Sequence, residues 1–128
     1  MGIEKIKQKL LDLDKKKRIK FMILFGSYAA GKQTPLSDID IAVYYDGNKE
    51  ERFRFRLHAL GELPKNIDLQ IFQDLPLPVK KEILSGKVLY SEDYQFTFDQ
   101  FIAVIKEFSS FEKYYLEYLS QLEKELEA

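Results

Sequence analysis

The sequence predicts an α+β protein. Short runs of β-branched and aromatic residues alternate with amphipathic helical stretches, and the chain closes on one long helix-periodic segment over residues 96–126. With 128 residues, 45% of them hydrophobic and 32% charged, the chain suits one domain built on one core.

The elements follow in order. Ile3, Ile6, Leu10 and Leu13 recur at helical spacing, with Lys and Asp between them, so residues 3–17 are expected as an amphipathic helix. The run Lys15, Lys16, Lys17, Arg18 would close it, since cations oppose the helix dipole at a C-terminus. A phosphate- or RNA-binding patch is the other use of such a run. Residues 19–25, Ile-Lys-Phe-Met-Ile-Leu-Phe, read as a buried strand, and residues 37–45 as a second one. Asp46-Gly47 marks a turn. Asn48 with Glu51 three residues on has the spacing of a capping box, opening a helix that closes near Gly61. The period-two alternation from Arg52 to Leu57 argues for a strand there, but Phe53, Leu57 and Leu60 form a helical stripe, and the helix is preferred.

Residues 66–72 alternate cleanly, with Ile67, Leu69 and Ile71 on one face and Asn66, Asp68 and Gln70 on the other. A short helix at about 76–85 stops at Gly86, and 87–90 is expected as an edge strand. The long final helix carries Phe98, Phe101, Ile102, Ile105, Phe108, Tyr115, Leu119 and Leu122 as a wide apolar stripe.

Composition excludes several functions. Twenty basic residues face twenty-one acidic ones, an unusual balance for a general nucleic-acid binder. The absence of cysteine rules out disulfides, thiolate metal sites and a catalytic thiol, and fits a cytoplasmic setting. The early apolar run Phe21–Phe25 is far too short for a membrane span. His58, the sole histidine, falls mid-helix and suggests no acid–base role.

The chemistry lies in residues 26–40, Gly-Ser-Tyr-Ala-Ala-Gly-Lys-Gln-Thr-Pro-Leu-Ser-Asp-Ile-Asp. Gly26 lets a phosphate approach the backbone. Ser27 adds a hydroxyl and an amide donor just past a strand end, where phosphates are held. Asp38 and Asp40 are two apart on a strand and so share a face, about 6.5–7 Å apart. That spacing lets carboxylates converge on Mg²⁺ ions of the kind used for in-line phosphoryl displacement. Asp68, on the polar side of its strand, joins them if that strand pairs with 37–45. Taken singly, Gly-Ser reads as a turn, Asp-x-Asp as a solvated strand edge, and Asp68 as unremarkable; the combination is what points to a site.

Gly26-Ser27, ten residues, then Asp38-x-Asp40 resembles the signature of the polymerase-beta-like nucleotidyltransferase superfamily. The short chain resembles the minimal nucleotidyltransferase branch, over roughly residues 1–90. The resemblance implies a mixed β-sheet with helices packed on it, to which the long C-terminal helix is appended. It implies that Gly26 and Ser27 hold a nucleoside triphosphate, ATP, and that Asp38, Asp40 and Asp68 bind two Mg²⁺ ions, with Mn²⁺ as a substitute. The sequence departs from the family pattern at Tyr28 and Ala30, where relatives carry Arg; Lys32 would supply the positive charge.

Minimal nucleotidyltransferases are commonly paired with HEPN-domain ribonuclease toxins, and the resemblance implies transfer of AMP to a toxin tyrosine in an antitoxin role. The final helix, with Tyr114, Tyr115 and Tyr118, is a candidate docking element or a homo-oligomer contact. Two other readings stand beside this one: an antitoxin that acts by binding alone, and a nucleotidyltransferase for a small hydroxyl compound.

Overall fold

A computed structural model describes residues 2–32, 34 and 38–127. The elements are α1 (Ile3–Leu13), β1 (Ile19–Phe25), α2 (Gly26–Ala29), β2 (Ile39–Tyr45), α3 (Lys49–Glu62), β3 (Ile67–Ile71), α4 (Leu77–Ile83), β4 (Lys87–Ser91) and α5 (Tyr94–Glu127), with a 3₁₀ turn at Phe72–Asp74. The four strands form one sheet in the order β3-β2-β1-β4. β1 is antiparallel to both β2 and β4, whereas β2 and β3 are parallel, so the sheet is mixed.

Helices cover both faces. On one, Met22, Leu24, Ile41, Val43 and Leu69 pack with Ile6 and Leu10 of α1 and Ala59 of α3. On the other, Phe21, Ile23 and Ala42 pack with Phe72, Ile83 of α4 and Val104 of α5. The central strands are therefore buried on both sides and read as continuous apolar runs. A register shift between Ile19 and Phe21 moves Phe21 to the α5 face, where its ring meets Phe72 edge-on at 5.1 Å and Phe101 at 5.9 Å.

Two helices differ from expectation. α1 ends at Leu13 instead of 17 because Asp14 turns inward. Its carboxylate, in a residue only 6% exposed, accepts the backbone N–H of Arg18 at 2.9 Å and of Ile19 at 2.7 Å. That pairing starts β1, and the Lys15–Arg18 run becomes a turn with Lys17 at φ 53°. In α3 the capping box is present, with Glu51 N–H to Asn48 at 2.9 Å and Asn48 N–H to Glu51 at 3.0 Å. The inward face, however, is not Phe53 and Leu57, which are 57% and 51% exposed. It is Phe55, Ala59 and Leu63, with Leu60 partly buried beside them. Arg52 and Arg56 lie on that side too: Arg52 pairs with Asp74 at 2.6 Å and Arg56 donates to the Leu69 carbonyl at 2.7 Å. Long stems that cover apolar surface while their heads find acceptors disguise an inner face as a polar one.

The strand expected over 37–45 is β2, Ile39–Tyr45; Ser37 lies outside the described residues. The expected 66–72 strand is β3, and Phe72 passes into the 3₁₀ turn. α5 starts two residues earlier than expected and spans 34 residues. Among the described residues, no helix is long and apolar enough to cross a membrane.

The turn between α4 and β4 lies hard against β1. A Cβ at Gly86 would stand 2.3 Å from the Leu24 carbonyl oxygen, whereas one at Gly61 would meet nothing within 4 Å. Gly86→Ala should therefore cost about 2–3 kcal/mol through backbone displacement. Gly61→Ala, exposed within α3, should be neutral or stabilise by up to about 1 kcal/mol. Urea titration of the two variants checks the contrast.

Candidate active site

The motif residues gather at one end of the sheet. β1 stops at Phe25, and Gly26, at φ 75°, turns the chain into the single-turn helix α2. A residue with a side chain rarely adopts that backbone. A second reason for glycine is contact: a Cβ at position 26 would lie 2.2 Å from Asp40 Oδ2. The Gly-Ser half of the motif and its carboxylate half thus touch through the missing side chain. The register agrees, since Phe25 and Asp40 are direct partners in the β1–β2 ladder.

Ser27 is exposed at the start of α2, where first-turn N–H groups have no intrahelical acceptor. Its carbonyl accepts the Lys32 backbone N–H at 2.9 Å, and Gly31, at φ 72°, allows the loop to fold back. Lys32 is thereby tied to Ser27 through the main chain, and its side chain is exposed. Tyr28 packs with Ala29 against the α1 side of the core. Tyr28, one of the two departures from the family pattern, therefore serves packing in this chain.

Asp40 and Asp68 stand opposite one another in the parallel β2–β3 register, within hydrogen-bonding reach. Gln70 donates to Asp68 at 2.8 Å. Asp38 is exposed just before β2. Ile39 and Ile41 point the other way into the core. The carboxyl of Asp40 is pushed up to about 6; burial is the largest cause, followed by the charge and hydrogen bond of Asp68 and then the charges of Asp38 and Glu82. Like charges crowded in a poorly hydrated place favour the protonated form, and a divalent cation among them would reverse that preference.

The donor set suits a hard cation. Three carboxylates at one end of the sheet are oxygen donors of the kind Mg²⁺ takes, and Gly26 lets the Asp40 carboxylate lie against the backbone where β1 ends. Among the described residues, no three Asp, Glu, His or Cys side chains close on a common point.

Beside this end lies a cavity of about 300 Å³ lined by Phe25, Gly26, Ser27, Ala29, Ala30, Glu82, Ser85 and Gly86. Glu82, Ser85 and Gly86 were not legible as neighbours of Gly26 and Ser27. They arrive from α4 and its turn, through the close approach of Gly86 to Leu24, and nothing local in the sequence signals that contact. A larger groove of about 610 Å³ lies between α3 and β3, along Phe53, Arg56 and Gln70. Asp38, Asp40 and Asp68 are not among its lining residues.

Residues 4–95 match the family described as Polymerase beta, Nucleotidyltransferase. The chain belongs to that family. Among relatives of the nucleotidyltransferase, a putative protein adenylyltransferase from Methanocaldococcus jannaschii is 38% identical over 76 residues, which are 58% of this chain and 57% of the relative. The matched segment thus spans little more than half of that protein. A crystal structure of a toxin-antitoxin with AMP-PNP contains a chain that superposes with TM-score 0.74 at 22% identity, covering 94% of this chain and 98% of that one. A complex of a tri-AMPylated HEPN toxin from Shewanella oneidensis with an MNT antitoxin contains another, with TM-score 0.67 at 18% identity, covering 93% and 97%. At these identities the structures share the fold: a mixed sheet with helices on it and a long C-terminal helix.

The Asp40 environment has a measurable consequence. A carboxyl whose folded value is raised from 3.8 to about 6 binds its proton more tightly folded than unfolded. Its contribution favours folding in acid and is lost as pH rises between those values. Asp40→Asn removes the charge and should raise the melting temperature of the metal-free protein at pH 7.5 by about 2–4 °C, allowing for solvent screening at this half-buried position. The difference should vanish near pH 4. Thermal unfolding at the two pH values checks it, and an equal shift at both would contradict the electrostatic account.

Proposed function

We propose that this nucleotidyltransferase transfers AMP from ATP to a tyrosine hydroxyl of a HEPN-type toxin and so acts as an antitoxin. The observation that carries the reading is the contact of Asp40 with both Gly26 and Asp68, which joins a phosphate-binding turn to a carboxylate pair. The adenylyltransferase relatives and the AMPylated toxin complex support the acceptor class. Use of ATP as donor fits a cytoplasmic reaction.

Asp38, Asp40 and Asp68 would hold the divalent ions, two Mg²⁺ in this reading, with Mn²⁺ able to replace them. When bound, the ions supply neutralisation of the triphosphate and polarisation of the α-phosphate and acceptor oxygen. The chain's own residues do the positioning. The Ser27 hydroxyl and the first-turn N–H groups of α2 hold the phosphates, and Gly26 admits them to the backbone. Lys32, anchored to Ser27, adds positive charge at the loop. The acceptor oxygen attacks the α-phosphorus, an O–P bond forms, and the bond to the bridging oxygen of pyrophosphate breaks. The hydroxyl proton leaves to water at the open edge. A free phenol has a pKa near 10, so orientation in line with the α-phosphate is the main contribution the site must make.

Purified protein, Mg-ATP and the HEPN-type toxin of the same organism, followed by intact-mass measurement, test the proposal. Wild type should add one AMP per transfer to a toxin tyrosine, and Asp38→Asn with Asp40→Asn should abolish the adduct. Ser27→Ala should weaken ATP binding roughly tenfold to hundredfold, the worth of a charge-assisted hydrogen bond, with the melting temperature unchanged. Full neutralisation without any adduct, equally strong in the carboxylate variant, would overturn the reading in favour of an antitoxin that acts by binding alone.

A further inference from the structure

α5 outruns the sheet it packs on. Its first half is anchored: Phe96 meets Tyr44 edge-on at 5.0 Å, Phe101 meets Phe21 at 5.9 Å, and Val104 is 4% exposed. Phe108 lies under the Lys81 ammonium at 5.6 Å and is the last half-buried residue of the helix. Every described residue from 109 to 127 is exposed, and this free half reaches about 28 Å at 1.5 Å per residue.

The direction of that reach matters. Tyr44 and Phe21, beneath the start of α5, are ladder partners at the end of the sheet remote from Gly26. Lys81, beneath Phe108, precedes Glu82, which lines the Gly26–Ser27 cavity and whose charge is felt at Asp40. The helix therefore leaves the molecule on the side of the carboxylate site.

The free half is not a polar tail. Phe101 and Val104 face the core and Phe108 meets Lys81 of α4, at steps of three and four. The same steps continue through Phe111, Tyr115, Tyr118 and Leu122, which are 49%, 52%, 62% and 37% exposed. The stripe that holds α5 to its own sheet thus runs on, on the same face, beyond the sheet. It is also wider than a two-stranded coiled-coil seam. Tyr114, Leu119 and Leu126 occupy flanking positions that carry charge in such a seam. A face this broad fits a groove between two helices. The free half carries Glu112, Glu117, Glu123, Glu125 and Glu127 against Lys113 and Lys124. A second copy laid along it would bring like charges together; a groove rimmed by Lys and Arg would complement it.

We propose that residues 109–127 form a docking arm for the acceptor protein. The arm seats an apolar, basic-rimmed groove of a helical partner and thereby holds the partner's tyrosine in front of Asp40 and Ser27. The inference rests on the transfer reaction proposed above and adds the surface that selects its substrate. The acceptor is then read as a folded protein, and a loose peptide or small hydroxyl compound would lack the groove.

The test uses the full chain with Tyr115→Glu and Tyr118→Glu together, at positions exposed enough to leave folding intact. Melting temperature and Mg-ATP affinity should match wild type. Binding of the HEPN-type toxin of the same organism, measured by calorimetry, should weaken about 30-fold or more, as for paired aromatic anchors. Half-saturating toxin in the transfer assay should rise in step, with maximal rate little changed. Asp40→Asn serves as the complementary variant: it should abolish transfer while toxin binding is retained. Unchanged toxin affinity in the double-Glu variant overturns the docking arm while leaving the transfer reaction standing. Lost affinity with no adduct formed even by wild type supports the arm and overturns the transfer. A wild-type dimer in light scattering that the double-Glu variant dissociates, with toxin binding intact, assigns the face to a second copy and overturns the proposal.

Discussion

The site depends on one contact, that of the Asp40 carboxylate against the bare Cα of Gly26. It requires β1 and β2 to be antiparallel neighbours in a register that sets Phe25 opposite Asp40. It also requires a left-handed backbone at Gly26, so that the chain turns away after β1 and does not fold over the carboxylate. The parallel β2–β3 pairing then brings Asp68 to the other flank of Asp40. Three segments distant in sequence are held together by main-chain ladders, which are less deformable than any side-chain network that could have assembled the same groups.

That arrangement sets the chemistry against stability. Asp40 is drawn partly out of water and placed next to Asp68, with Asp38 and Glu82 close by. In the absence of a cation it favours its protonated form up to about pH 6. The surrounding core makes this tolerable. Both faces of the central strands are packed, with α1 and α3 on one side and α4 and α5 on the other, so the strand ends cannot splay to relieve the repulsion. A divalent ion bound with a triphosphate would convert the repulsion into coordination, and the strain is spent where the ligand supplies its relief.

The layers also divide the labour between helices. α1 and α3 close the face remote from the aspartates, and Tyr28 is drawn into that packing. α4 brings Glu82 and Ser85 to the mouth of the cavity, because Gly86 permits its turn to lie against the Leu24 carbonyl. α5 closes the same face as α4 and then continues past it. The end of the sheet that carries Gly26 and Asp40 is thus bounded by the α2 loop, the end of α4 and the root of the free helix.

The strands and the capping box at Asn48 and Glu51 were legible in the sequence because each is a local pattern, and the same holds for the proximity of Gly26 and Asp40. Strand alternation, cap spacing and a fixed gap between motif halves need only neighbouring residues to be seen. Asp68 was legible only conditionally, since its role depends on which strand β3 joins. The inward face of α3 was not legible because Arg52 and Arg56 look polar on paper, yet their heads reach Asp74 and the Leu69 carbonyl from within the packed side. The end of α1 was set by Asp14, whose partners are the N–H groups that open β1. Glu82, Ser85 and the direction of the free half of α5 came from tertiary structure alone. By itself the sequence determined which residues could do the chemistry, since that depends on side-chain type and local spacing. Only the tertiary structure decided which of them meet and what faces the open edge, because strand order, register and helix direction are settled by burial across the whole sheet.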